Sequence, residues 1–179
     1  MVRIAVIGWG SLIWDPRNLK LTDRQWHDDG PKLPVEFART ARDGRLTLVI
    51  TPRATPQTTL WAYSGCETLD GARADLAKRE GSCEGNIGAL SKGEIRCDAT
   101  EQTIAKWCGA KGFDGVVWTK LPPKAQDGSE RVMAREEAVN YIMSLEGEKF
   151  RKAEEYVKKA PEQIDTPIRR ALMKMFASR

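Results

Sequence analysis

Near its start the chain carries an apolar run, Ile4-Ala5-Val6-Ile7, and Arg3 to Gly8 has the pattern of a buried strand. Four more stretches, at 33–39, 45–51, 58–63 and 115–119, predict further strands. Two of them flank Ala41-Arg42-Asp43-Gly44, where Asp-Gly signals a hairpin. Pro52, Pro56, Gly65, Gly112 and Pro122-Pro123 punctuate the set. The period turns helical at 69–80 and stops at Gly81, a residue type suited to the left-handed position after a helix. A second helix is expected from a Thr100 cap through Cys108, with Gly109 as its stop.

The last third reads as helical. Val139, Ile142 and Leu145 recur at helical spacing, and 149–159 is densely charged. Thr166-Pro167 is a cap followed by proline at the first helical position, opening a helix with Ile168, Ala171, Leu172 and Met175 on one face. Strands first and helices afterwards predict an α+β fold, not the strict alternation of a doubly wound sheet.

Length adds one constraint: 179 residues fit a single domain, with a strand-rich core at 1–125 and a helical layer at 134–179. A hydrophobic share of 41% excludes a disordered chain. No apolar run approaches the roughly 20 residues of a membrane span, and the first run is too short for a signal peptide. A soluble, cytoplasmic protein with no membrane partner is therefore expected.

Charge and cysteines narrow the chemistry. The 29 Lys and Arg against 25 Asp and Glu leave a net charge of +4. The charges are interleaved, as where Lys158, Lys159, Arg169 and Arg170 are offset by Glu154, Glu155, Glu162 and Asp165, so a solvated helical surface is expected and a nucleic-acid partner is not. Cys66, Cys83, Cys97 and Cys108 form no C-x-x-C pair, and His27 is the single histidine. No metal site is predicted. The cysteines are expected as reduced thiols, several of them buried. A Ser-His-Asp triad would have to rest on His27 alone.

Two segments carry candidate chemistry. In Gly8-Trp9-Gly10-Ser11-Leu12-Ile13, the third glycine of a dinucleotide fingerprint is replaced by Ile13, and Pro16 interrupts the helix that should follow. A dinucleotide site is thus rejected. Two glycines still permit a sharp turn with outward N–H groups, a nest suited to a carboxylate, or simply a tight turn needing positive φ. The second segment is the helix at 69–80. At about 100° per residue, Glu80 falls about 20° from Leu69 and about 40° from Leu76, inside the apolar stripe. Partial burial and the negative end of the helix dipole would both raise its pKa, toward the range useful for moving protons near neutrality. Two plain alternatives stand beside this: Arg73 on the same side pairs with Glu80, or the helix ends earlier and Glu80 is a surface acid.

Together these segments resemble the γ-glutamylcyclotransferase-like superfamily, most closely its ChaC-like branch. Gly8-Trp9-Gly10-Ser11-Leu12 is similar to the family's Tyr-Gly-Ser-Leu or Tyr-Gly-Ser-Asn turn after the first strand. Arg79-Glu80-Gly81 resembles the segment of its catalytic glutamate, and Thr59-Leu60-Trp61-Ala62-Tyr63 the strand before that helix. The resemblance spans roughly residues 3–90. It implies a small mixed β-barrel of about five to seven strands with flanking helices and a C-terminal helical segment. It also implies an enzyme that cyclises a γ-glutamyl peptide or amine to 5-oxoproline without a cofactor. Trp9, Gly10, Ser11 and Leu12 would hold the substrate's α-carboxylate through their backbone N–H groups, with Glu80 as the catalytic acid and base. Tyr63 and Arg39 are further polar candidates. Trp9 stands where the family has tyrosine, so the mouth of the pocket would lose a hydroxyl and gain an indole that donates but cannot accept. The alternatives are a non-catalytic carboxylate-binding or regulatory module on the same fold, and a basic RNA-associated protein whose binding would be strongly salt-dependent.

Overall fold

The computed structural model describes residues 2–178. In chain order its elements are β1 (Ile4–Gly8), β2 (Lys32–Leu33), β3 (Val35–Thr40), β4 (Leu46–Ile50), β5 (Gln57–Thr58), β6 (Leu60–Tyr63), α1 (Leu69–Glu80), β7 (Ile87–Ser91), α2 (Ala99–Lys111) and β8 (Gly115–Thr119). Three helices follow: α3 (Arg135–Met143), α4 (Gly147–Lys159) and α5 (Pro167–Ala177). The class is α+β. Among the described residues, no sheet closes into the expected barrel: the largest is an open four-stranded sheet, and the other strands pair only two by two. Two compact units form among the described residues, one of 2–33 with 58–121, the other of 34–57 with 122–178.

The first unit is built on a four-stranded sheet of order β6-β1-β8-β7. β1 runs parallel to β8 and antiparallel to β6, with Val6 opposite Val117 on one side and Ala62 on the other. Every residue of β1 is buried, which explains its unbroken apolar run. Ile4, Val6 and Val117 share a core cluster with Ala72, Leu76 and Ala77 of α1 and with Leu12 and Leu19 of the loop after β1. β7 escapes a search for strand patterns because Gly88 and Ser91 dilute it. Gly88 faces Trp118 across the β7–β8 pair, and a Cβ there would lie 2.1 Å from the indole.

α1 has the predicted bounds. The Thr68 hydroxyl accepts from the Gly71 N–H at 3.1 Å. Gly81 takes φ 59°, its N–H reaches the Lys78 carbonyl and the Ser82 N–H the Ala77 carbonyl, a Schellman closure. α2 runs past the expected glycine stop. Asp98 caps it, and Gly112, not Gly109, adopts the left-handed conformation at φ 72°. Gly109 merely lowers helix propensity in the last turn, while Ile104 and Cys108 bury the helix's inner face.

In the second unit β3 and β4 pair antiparallel around Gly44, which takes φ 88°, and a bulge falls between Phe37 and Arg39. Phe37 and Leu48 lie buried with Ile142 of α3, Val157 of α4 and Leu172 of α5. Thr166 caps α5 with Pro167 at its first position, as expected. The Arg169 guanidinium, 9% exposed as a residue, donates to the carbonyls of Ala160, Pro161 and Ile164 and so ties the α4–α5 connection.

The cysteines are all free, but only Cys108 is buried. Cys66 is half-buried, and Cys83 and Cys97 are exposed. Cysteine spacing alone could not reveal this. Among the described residues, no helix is long and apolar enough to cross a membrane.

Candidate active site

The loop leaving β1 is fastened to the end of α1. The Ile13 N–H donates to the Gly10 carbonyl at 3.0 Å and the Asp15 N–H to the Ser11 carbonyl at 2.8 Å, so the chain turns twice within six residues. Neither Gly8 nor Gly10 takes a positive φ. What Gly8 supplies is clearance: a Cβ there would meet Ile13 Cδ1 at 2.9 Å and the Trp26 ring at 3.0 Å. Among the described residues, no acceptor engages the N–H groups of Gly10, Ser11 or Leu12. Gly10 and Leu12 are buried and Ser11 half-buried. Trp9, expected at the mouth of a pocket, is itself buried at 3% exposure.

Glu80 ends α1 with its side chain 18% exposed. Its Oε1 accepts from Arg79 Nη1 at 2.7 Å, and its Oε2 has no hydrogen-bond partner among the described residues. The expected alternative of pairing with Arg73 does not occur: Arg73 donates to the Glu84 carbonyl at 2.8 and 3.1 Å.

Arg79 joins the two segments. Its side chain is 3% exposed, and Nη2 donates to the Asp15 carbonyl at 2.5 Å and lies 3.4 Å from Ser11 Oγ. In the opposite direction Arg17, at φ 51°, donates Nη1 to the Arg79 carbonyl at 3.3 Å. Lys20 adds a bond from its N–H to Asp75 of α1 at 2.7 Å. A carboxylate with one oxygen held and one open therefore sits one residue from a buried cation, which in turn grips a turn with three unpaired N–H groups. Such a set can bind an anion at the turn and move a proton at Glu80.

The remaining candidates divide. The Tyr63 hydroxyl accepts from Arg3 Nη2 at 3.1 Å within the first unit. Arg39 belongs to the second unit, where it donates to the Pro122 carbonyl at 2.7 Å. His27 stacks on Trp61 with ring centres 4.2 Å apart and takes no part in a triad with Ser11. Arg79 is the residue that sequence reasoning passed over. By the same angular count it lies about 20° from Ala72, close enough to the buried stripe to have signalled an interior cation.

The second unit has a cavity of about 660 Å³ whose wall includes Glu36, Thr51, Met133 and Ile168. Glu36 accepts from the Phe37 N–H within β3, and from the Thr166 hydroxyl and the Ile168 N–H, two bonds that anchor the start of α5.

Comparison of the chain with family models, curated proteins and solved structures yields no match.

Proposed function

We propose that the first unit cyclises a γ-glutamyl peptide or amine to 5-oxoproline and releases the amine. The observation that carries this is the coupling of the 8–15 loop to Glu80 through one buried guanidinium. The substrate's α-carboxylate accepts from the Gly10, Ser11 and Leu12 N–H groups, with Trp9 next to them. Its α-amine then lies in reach of the open Glu80 oxygen. Glu80 takes a proton from that amine, the nitrogen attacks the γ-carbonyl carbon, and a five-membered lactam forms. The same carboxylic acid returns the proton to the departing amine nitrogen as the C–N bond breaks. Both reacting groups belong to one molecule, so orientation by the turn lowers the barrier without a cofactor. One acid–base residue of this kind contributes typically 10²–10⁴ in rate.

A second reading is favoured by the Arg79–Glu80 ion pair, which already engages the carboxylate: a module that binds a small carboxylate without turnover. Incubation with a panel of γ-glutamyl peptides and amines separates the two. Release of 5-oxoproline supports cyclisation. No product, together with a rise in Tm on adding 5-oxoproline or glutamate, supports the binding module and contradicts the enzyme.

A further inference from the structure

The site sets two negative charges side by side, the carboxylate of Glu80 and that of any acidic ligand on the turn. Like charges at close range oppose each other, and burial strengthens the opposition. Arg79 is placed to relieve it. Its guanidinium touches Glu80 on one side and the Asp15 carbonyl on the other, with Ser11 Oγ within 3.4 Å. Its Nε–H is buried and has no acceptor among the described residues. A buried, charged donor left unpaired is costly, and an arriving anion would complete it.

We infer that Arg79 determines specificity for an anionic substrate headgroup, as the shared counter-charge of the ligand's carboxylate and Glu80. This assignment rests on the cyclisation proposed above. Three consequences follow from the chemistry. The ligand carries its carboxylate toward the turn. Neutral amides in that place bind poorly. Loss of the Arg79 charge falls on the acidic substrate far more than on its neutral counterpart.

The test compares two substrates, a γ-glutamyl peptide and the same peptide with its α-carboxylate converted to a carboxamide, on wild type, Arg79→Lys and Arg79→Gln. Tm is measured for each protein. The expected result is that Arg79→Gln raises KM for the carboxylate substrate by about tenfold or more and for the carboxamide by less than about threefold. Arg79→Lys, which keeps the charge, recovers most of the difference. Added guanidinium ion restores turnover of the carboxylate substrate by Arg79→Gln, and urea, its neutral analogue in shape, does not. Equal losses on both substrates, rescue by urea, or unfolding of both variants would assign Arg79 a packing role and overturn the inference. An inactive wild type overturns the cyclisation itself, whereas an active wild type with indifferent Arg79 variants overturns only the role of Arg79.

Discussion

Two buried charged residues, Arg79 and Glu36, answer different needs. Two unit charges about 5 Å apart repel by about 3 kcal/mol at an effective dielectric of about 20, so the acidic substrate proposed to lie beside Glu80 would require a cation. Glu36 serves the fold. Its burial pushes the carboxyl above the ordinary glutamate value of 4.5, although the Thr166, Phe37 and Ile168 donors pull the other way. The folded chain then holds a proton that the unfolded chain has already lost. Stability falls as pH rises above about 4.5 and levels off once the folded carboxyl has also ionised. Glu36→Gln is expected to remove that fall. Urea denaturation across pH 4.5–8 checks it, and parallel profiles for the two proteins would contradict it. Gly88 offers a purely steric test. Gly88→Ala forces a methyl into the Trp118 ring, and the expected cost is about 1–3 kcal/mol, read from denaturant melts.

The elements themselves were legible where local chemistry and tertiary packing agree. α1 could be read from Leu69 to Glu80 because apolar stripe and glycine stop coincide, and the Thr68 cap adds a local signal that the stripe alone did not need. β8 was equally clear, since Gly115–Thr119 is apolar and closed off by the Pro122-Pro123 pair. α2 was read too short because a glycine inside a helix looks like an end, and only the packing of Ile104 and Cys108 carries the helix past it. β7 was missed because its glycine exists to admit Trp118, a residue thirty positions away. Gly81 makes the local contribution measurable. A Cβ there meets nothing, so Gly81→Ala costs only the left-handed backbone, about 1–2 kcal/mol, with Glu80 still at the helix end. A melt showing no loss would mean that the α1 terminus relaxes freely.

At the scale of the molecule, the chain folds as two compact units. Loop, Arg79 and Glu80 lie in the first, and the hairpin with three helices makes the second. The turn and Glu80 were visible in sequence, as a glycine pair after a strand and as an acid in an apolar stripe. The cation between them was not, since Arg79 reaches a carbonyl sixty-four residues away and no local pattern records that. The thiols offer a check on the packing of the first unit. Burial raises the Cys108 thiol, whereas Cys83 and Cys97 are exposed, so a thiol reagent should modify those two in the native protein and Cys108 only after unfolding. Mass mapping of the labelled peptides checks it, and rapid native labelling of Cys108 would contradict the packing of α2.

In the proposed reaction the Glu80 carboxylate moves the protons. Glu80→Gln keeps the shape and removes that capacity. With a γ-glutamyl substrate on which wild type releases 5-oxoproline, the variant should lose about 10²–10⁴ in kcat, with any fall in Tm traced to the lost ion pair with buried Arg79 and assays run below the variant's melting range. A Glu80→Gln protein that releases 5-oxoproline as fast as wild type would contradict the account.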